Sequence, residues 1–232
     1  MNNHSQPAGT RARGSSGLVL VIVSAGIVLV NLDLFIVNVA LPDVARDLGS
    51  SDLGGLSWVL SGYAIVYAAL LVLFGRIADG HDRRTGFLVG VVVFVGASAA
   101  CGAATSVGML VAFRVVQAAG AALLTPTSLS LVLATAAPER RHAAVRAWTA
   151  VGGVGAALGP VIGGVLVAAS WRWVFLVNVP VGAVALAAGL RWLPRVPGHT
   201  APRPDALGAL LVTGGVGALT LGLVEGRQWG WG

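Results

Sequence analysis

An acidic residue interrupts one of the most apolar stretches of this sequence. Asp33 lies in LVNLDLFIVNVALP, Leu29 to Pro42, where two asparagines are the only other polar side chains. An arginine, Arg114, interrupts a second apolar stretch in the same way. An ionisable group near the centre of a lipid bilayer costs about 2.5 to 3.5 kcal/mol on insertion scales, so it is a candidate for a functional role. A carboxylate in this setting is suited to taking up and releasing a proton.

The two charged residues are predicted to lie at similar depths in the membrane. A helix rises about 1.5 Å per residue, which places Asp33 roughly 12 Å below Leu41 and Arg114 roughly 8 Å below Met109, the outer ends of their spans. The two side chains could therefore pair, directly or through water. Two interpretations stay open: a structural ion pair that fixes helix packing, and a titratable carboxylate whose protonation changes what a polar cavity holds.

A polar stripe on the fourth apolar segment favours such a cavity. At about 100° per residue, a narrow stripe collects polar and small residues, namely Arg114, Gln117, Ala121, Thr125 and Ser128. This stripe is expected to face protein or water and not lipid. On the first segment, Asn31 and Asn38 share a face nearly opposite Asp33. One of those two faces is expected to pack against a neighbouring helix while the other lines the path.

The composition indicates the kind of protein that holds these residues. Hydrophobic residues make up 56% of the 232 residues and charged residues 10%, with a mean hydropathy of +0.84. A soluble domain carries about 25% charged residues. Apolar stretches of about 20 residues, enough to cross a bilayer as a helix, recur along almost the whole chain. The sequence therefore predicts an all-α, polytopic membrane protein.

Several other classes of function are disfavoured. The net charge of +6 and the pI of 11.2 would suit nucleic-acid binding, but the arginines are dispersed between apolar stretches, so no nucleic-acid partner is expected. The spans contain no His/Glu metal spacing and no Ser/His/Asp set, so neither an enzyme nor a metal site is expected. Cys101 is the single cysteine, which excludes an intrachain disulfide.

Lengths and helix breakers predict seven membrane-spanning helices. Their approximate ranges are 18–41, 56–75, 86–104, 109–134, 147–169, 173–190 and 206–224. The chain thereby divides into a cytoplasmic tail, a six-helix transmembrane bundle, a cytoplasmic linker, and a seventh transmembrane helix with a truncated end, at residues 1–17, 18–190, 191–205 and 206–232. Eleven arginines fall on the side of the N-terminus and three on the other. The positive-inside rule therefore places the N-terminus in the cytoplasm.

The fifth segment is rich in glycine. In GGVGAALGPVIGG, glycines recur every four residues at Gly155, Gly159 and Gly163, which gives a flat groove where another helix can approach closely. Pro160 removes the hydrogen bond to the carbonyl of Ala156 and favours a bend. Tight packing alone and a kinked helix that moves between two states are both compatible with this pattern.

The loop between the second and third spans, GRIADGHDRRTG, is rich in charge. Asp79 and Asp82 could form a cluster with Arg83 and Arg84 that bridges the two helix ends. Such a cluster would have to break or re-form when the helices shift. The alternative is that these arginines only anchor the loop in the cytoplasm.

Several ordered motifs over residues 31–182 resemble the major facilitator superfamily, and within it the fourteen-span family of proton-coupled drug efflux transporters. The similar segments are LDLFIVNVALP in the first helix, the loop GRIADGHDRR, RVVQAAGAA in the fourth helix, the antiporter motif GPVIGG in the fifth, and WRWVFLVNVPVG at the start of the sixth. The matching positions in the loop and the two later helices are Gly75, Asp79, Arg83 and Arg84, then Arg114, Gln117, Gly120 and Ala122, then Gly159, Pro160, Gly163 and Gly164. The sequence departs from the usual pattern at Phe35, Gly80, Asp82 and Ala118.

This resemblance implies a fold and a set of roles. The fold would be the six-helix N-terminal half of a major facilitator fold plus one further transmembrane helix. Asp33, Arg114 and Gln117 would take part in coupling to protons or substrate, and the loop from Gly75 to Arg84 in gating. The glycine-rich fifth helix, including Gly155 and Gly164, would carry the antiporter motif.

The resemblance also implies an activity. The protein would be a multidrug antiporter in the cytoplasmic membrane that exports small lipophilic or cationic molecules. It would use the proton gradient as its energy source and no cofactor. Its partners would be the substrate, protons, the lipid bilayer and the C-terminal half that this chain lacks. The alternative is a truncated, non-transporting membrane protein that associates with other helices.

Overall fold

The apolar stretches of the sequence form long helices. The computed structural model describes residues 11–49, 53–198 and 206–226. Over these residues the α-helices are α1 Arg11–Asp47, α2 Leu53–Gly80, α3 Arg83–Gly102, α4 Val107–Thr135, α5 Arg141–Val167, α6 Trp173–Leu176, α7 Asn178–Trp192 and α8 Ala206–Glu225. A short 3-10 helix, Pro138–Arg140, precedes α5.

Six helical segments of the described chain are long and apolar enough to cross a membrane. They correspond to α1, α2, α3, α4, α5 and the combined α6 and α7, while α8 contributes a shorter apolar stretch, Leu211–Leu223. The fold prediction, an all-α protein with a six-helix bundle and one further helix, is therefore confirmed.

Helix ends and predicted span ends differ at several places. α1 begins at Arg11, before the predicted span at residue 18, and α5 begins at Arg141, before the predicted residue 147. The reason is that hydropathy reports only the part of a helix that lies in hydrocarbon, whereas backbone hydrogen bonding continues into the polar region. The division at residues 17, 190 and 205 stays a prediction, and residues 1–10, 199–205 and 227–232 lie outside the described residues.

The sixth span is interrupted at one residue. Val177 separates α6 from α7 but keeps a helical conformation, with φ −60° and ψ −27°. Pro180 follows closely and has no N–H to offer the carbonyl of Leu176, which lies four residues earlier. This span therefore has a local weak point in its hydrogen bonding, next to Asn178.

Two helices occupy the centre of the bundle. α4 packs against α1, α2, α3 and α5, while α1 packs against α4, α5, α6 and α7 as well as α2. The buried apolar residues form two clusters, one around Phe87, Phe94 and Leu124 and one around Ile36, Leu110 and Phe175. Asp33 on α1 and Arg114 on α4 are thus carried by the two central helices.

Glycines of α5 form the contact with α1. A Cβ atom added to these glycines would lie close to α1 atoms, at 2.9 Å from Phe35 Cβ for Gly159, 2.9 Å from Ile36 Cγ1 for Gly163 and 3.2 Å from Val28 Cα for Gly155. The close approach predicted from the four-residue spacing is therefore present. α5 continues through Pro160, and motion of this helix stays a prediction.

The replacement Gly159→Ala is expected to destabilise the protein. The added methyl group would meet Phe35 Cβ at 2.9 Å and Ile36 N at 3.2 Å, and backbone cannot move aside as a flexible side chain can. Overpacking of this kind costs about 1–3 kcal/mol. The free energy of unfolding of the purified chain in detergent micelles measures the effect.

Gly164→Ala is the matched control, in the same helix and the same motif. Apart from its chain neighbours and its own helix backbone, a Cβ atom at Gly164 would have no described atom within 4 Å, and alanine is favoured over glycine in a helix by about 1 kcal/mol. This variant is expected to be as stable as the parent or more stable. Equal destabilisation by both substitutions would show that contact with α1 is not the reason for the glycines.

Candidate functional site

The carboxylate of Asp33 is the centre of a buried polar cluster. Its Oδ2 accepts a hydrogen bond from Arg114 Nη1 at 2.5 Å, and its Oδ1 accepts from Gln117 Nε2 at 2.9 Å and Asn178 Nδ2 at 3.1 Å. Ser98 Oγ in turn accepts from Gln117 Nε2 at 2.7 Å and from Asn178 Nδ2 at 3.4 Å. The cluster therefore joins α1, α3, α4 and α7 at one point.

Arg114 is fixed by several groups besides the aspartate. Its Nη1 also donates to Gln117 Oε1 at 2.8 Å, and its Nε donates to the carbonyl oxygen of Val59 at 3.2 Å. Its guanidinium carbon lies 4.0 Å from the ring centroid of Tyr63, within range of a cation–π interaction. Its Nη2 has no hydrogen-bond partner among the described residues. Arg114 therefore links α4 to both α1 and α2.

The cluster is isolated from solvent. The exposed fraction is 0% for Asp33, Arg114, Gln117, Ser98 and Asn178. An ion pair in such a place is held strongly once formed, and removal of either charge leaves the other uncompensated. Protonation of the Asp33 carboxylate would likewise leave the charge of Arg114 uncompensated. The charges of Asp33 and Arg114 therefore compensate each other inside the bundle.

The structure brings together the residues that the sequence singled out in the spans. Asp33 and Arg114 pair directly, which is one of the two arrangements that the sequence left open, and Gln117 contacts both. The polar stripe of α4 faces the protein interior as expected, because Ala121 and Ser128 are also buried. Asp33 lies on the face of α1 that packs inward. The functional roles of these residues remain proposals.

Sequence reasoning missed two members of the cluster, Ser98 and Asn178, and it also missed Tyr63, whose ring contacts Arg114. Each is a polar residue within or at the edge of an apolar span, which was a usable signal. Asn178 lies inside the quoted sixth-helix motif, but its contact with Asp33 was not predicted. The hydroxyl of Tyr63 is buried and has no partner among the described residues.

The charged loop between α2 and α3 binds the end of the sixth span and the segment after it. Asp82 Oδ1 accepts from Val196 N at 2.9 Å, the backbone N of Arg83 donates to the carbonyl oxygen of Val196 at 3.1 Å, and Arg84 Nη2 donates to that of Leu190 at 2.5 Å. Asp82 and Arg84 thus find partners on the later segment. The part of the predicted charge cluster that involves Asp79 lies outside the described side chains.

Two further features of this loop bear on the predicted gating role. A Cβ atom at Gly75 would make an ordinary contact with Pro126 Cβ at 3.8 Å, so close packing does not require this glycine. Partial burial raises the pKa of Asp82, whereas the hydrogen bonds from the Thr85 hydroxyl and the Val196 N–H lower it. The hydrogen bonds together have the larger effect, so the pKa of Asp82 lies below its ordinary value. Asp82 therefore stays charged at neutral pH and continues to accept the hydrogen bond from Val196 N.

A group of hydrogen bonds around Asp47 and Arg172 connects helix ends on the opposite side of the bundle. Asp47 Oδ2 accepts from Trp171 Nε1 at 2.9 Å and from Arg172 Nη1 at 2.5 Å. Arg172 Nη2 also donates to the carbonyl oxygen of Ala104 at 3.3 Å. The ends of α1 and α3 are thereby connected to the start of α6.

Comparison with known proteins places this architecture in a family. The sequence matches the Major Facilitator Superfamily over residues 23–228. It is 38% identical to a tetracenomycin C resistance and export protein of Streptomyces glaucescens, covering 99% of this chain and 44% of the relative. It is 41% identical to a methylenomycin A resistance protein of Bacillus subtilis (99% and 49%) and 39% identical to the multidrug resistance protein Stp of Mycobacterium tuberculosis (92% and 40%).

A solved structure supports the same fold. A bacterial homologue of the human lysosomal transporter Spinster, in an inward-facing and unoccupied conformation, superposes with a TM-score of 0.62 at 22% identity. The match covers 82% of this chain and 46% of that structure. This chain thus spans about half the length of the proteins it matches. It is a multi-pass membrane protein related to drug-resistance exporters, and it belongs to the Major Facilitator Superfamily.

Proposed function

We propose that this chain forms the N-terminal, proton-responsive part of an exporter of small lipophilic or cationic molecules, driven by the proton gradient across the cytoplasmic membrane. The observation that carries the proposal is the fully buried Asp33 paired with Arg114. The named functions of the relatives, resistance and export, favour the same class of activity. Eleven arginines lie on the side of the N-terminus and three on the other, which favours a cytoplasmic N-terminus.

The proposed cycle is based on the charge of Asp33. With the carboxylate ionised, Arg114 and the two amide donors hold α1 against α4 and α7. A proton from the outer side neutralises the carboxylate, weakens its bond to Arg114 and lowers the affinity for a cationic substrate, which leaves outward. Release of the proton toward the cytoplasm restores the pair and resets the site.

Two other elements would take part in the conformational change. The glycine contact of α5 with α1 allows close sliding of two backbones, and Pro160 lies within it. The loop from Gly75 to Arg84 binds the segment after α7 and would have to move with it. Alternating access in this class of fold rocks one half of the molecule against the other around a central site. Transport would therefore require a C-terminal half.

A transport assay tests this proposal. Everted membrane vesicles are prepared from cells that express the full reading frame. Their uptake of a panel of lipophilic cations is measured with the proton gradient present and with it collapsed. Uptake that depends on the gradient is expected. Export that is independent of the gradient would contradict the proposal.

The same assay includes vesicles that contain only the 232 residues. These vesicles are expected to show membrane insertion without transport, because the central site would lack its second half. If the full reading frame is also inactive toward every cation, the alternative of a non-transporting membrane protein that associates with other helices is favoured.

A further inference from the structure

Asp33 presents two chemically different oxygens to its partners. Oδ2 faces the permanent cation Arg114, which has no lone pair with which to accept a hydrogen bond. Oδ1 faces only neutral amide groups, those of Gln117 and Asn178. A proton on Oδ2 would point at the Arg114 cation. A proton on Oδ1 would find an acceptor if one of the two amides rotated and presented its oxygen. The proton is therefore better accommodated on Oδ1.

The two amides differ in their freedom to turn. Gln117 is fixed at both ends, because its Oε1 accepts from Arg114 while its Nε2 donates to Asp33 and Ser98. The Nδ2 of Asn178 donates to the same two residues, but its buried Oδ1 has no hydrogen-bond partner among the described residues. Rotation of the Asn178 amide by half a turn would break no bond to its oxygen. Asn178 also lies beside the interruption at Val177.

We propose that the side-chain amide of Asn178 is a protonation-dependent switch that senses Asp33 from the sixth span. When Asp33 is ionised, Nδ2 of Asn178 donates to it. When a proton binds to Oδ1, the amide rotates, and Asn178 Oδ1 accepts the new O–H. The hydroxyl of Ser98 can reverse its role because it both donates and accepts. Rotation exchanges one unpartnered amide atom for the other, so the charge of Asp33 decides the orientation.

The switch gives α7 a way to follow the state of α1. Arg114 on α4, Tyr63 on α2 and Cys101 on α3 are the other ionisable groups around the cluster in the described residues. Arg114 has no lone pair with which to accept the O–H of the neutral acid, the Cys101 thiol donates to Gln117 Oε1, and the Tyr63 hydroxyl forms no hydrogen bond with Asp33 among the described residues. Asn178 is therefore a positioning residue for Asp33. This inference rests on the proposed function only in requiring that Asp33 changes its protonation state.

Infrared difference spectroscopy of the purified chain in lipid tests the switch without a transport assay. The chain carries ¹³C in the side-chain carbonyl of asparagine, and the pH is lowered stepwise. The C=O band of protonated Asp33 should appear, and Asp33→Asn should remove it. Together with that band, an asparagine carbonyl band should move to lower frequency, because a carbonyl without a partner gains a hydrogen bond.

Variants assign the shifted band. Asn178→Leu, similar in size, should abolish the asparagine shift and move the Asp33 acid band to higher frequency, as for an acid whose O–H is free. If that variant does not fold, the double variant Asn31→Ser/Asn38→Ser should retain the shift, since Asn178 is then the only described asparagine left.

The outcomes separate the two proposals. An Asp33 acid band without an asparagine shift would overturn the switch and leave the proposed function intact. Absence of the Asp33 band at every pH would contradict the proposed function itself, and the switch with it. A shift that survives in Asn178→Leu would also overturn the assignment to Asn178.

Discussion

Asp33→Asn in the full reading frame is expected to reduce efflux to the level measured when the proton gradient has been collapsed. Asparagine has nearly the volume of aspartate but cannot bind and release a proton. The variant also leaves Arg114 without its counter-charge, so the neutral state is imitated permanently. Uptake of a lipophilic cation into everted vesicles, with and without the gradient, measures the effect. The amount of protein in the membrane is determined in parallel.

Asp43→Asn is the matched control for this experiment. Asp43 is also an aspartate of α1, but its pair with Arg46 at 2.6 Å is exposed at the helix end. Loss of a surface pair costs about 0–1 kcal/mol, so transport is expected to continue. Asp33→Glu should retain part of the gradient-dependent activity, because it keeps a titratable acid. Unchanged efflux in Asp33→Asn would remove Asp33 from the mechanism.

The sequence was sufficient to identify the ionic centre of the site. A charge in an apolar span must be compensated, and only Asp33 and Arg114 interrupt spans at comparable depth. Gln117 lies three residues after Arg114 on one helix, and this spacing puts both on one face. These arguments depend on helix geometry alone, and the observed bonds agree with them.

The neutral members of the cluster could not be found in that way. A lone asparagine in an apolar helix can satisfy itself by donating to its own backbone. Asn31 does so with the carbonyl of Ile27 at 3.0 Å, and Asn38 with that of Leu34 at 3.2 Å. Asn178 instead reaches across to Asp33. The difference depends on how the sixth span is rotated against α1, which packing decides and the local sequence does not show.

The partners of the charged loop were hidden for a related reason. Asp82 and Arg84 bind backbone groups at Val196 and Leu190, more than 100 residues away. Backbone N–H and C=O groups are present at every residue, so no side-chain pattern marks those two. The sequence predicted the loop and its charge, and the fold was needed to show that these side chains are tied to the sixth span.

The dependence of Asp33 on its cation leads to the second large effect. Arg114→Leu is expected to lower the free energy of unfolding of the chain by about 3–5 kcal/mol, the cost of leaving one partner of a buried ion pair uncompensated. The change also removes the donor to the Val59 carbonyl and the cation over Tyr63. Denaturant unfolding of the purified chain in mixed micelles, followed by tryptophan fluorescence, measures the loss.

Two comparisons separate loss of charge compensation from loss of packing. Arg46→Leu removes an arginine that is 76% exposed from its pair with Asp43, so its cost should not exceed about 1 kcal/mol. The double variant Asp33→Leu/Arg114→Leu should recover part of the stability lost in Arg114→Leu, because no buried charge remains, although Gln117 and Asn178 then lose their acceptor. The double variant could instead be less stable than Arg114→Leu, by as much as a second, independent core substitution would cost. Loss of charge compensation would then not be the reason that Arg114→Leu lowers the free energy of unfolding. Recovery would instead show that this membrane protein tolerates Asp33 because Arg114 compensates its charge, which is the condition that a proton arriving at Asp33 would remove.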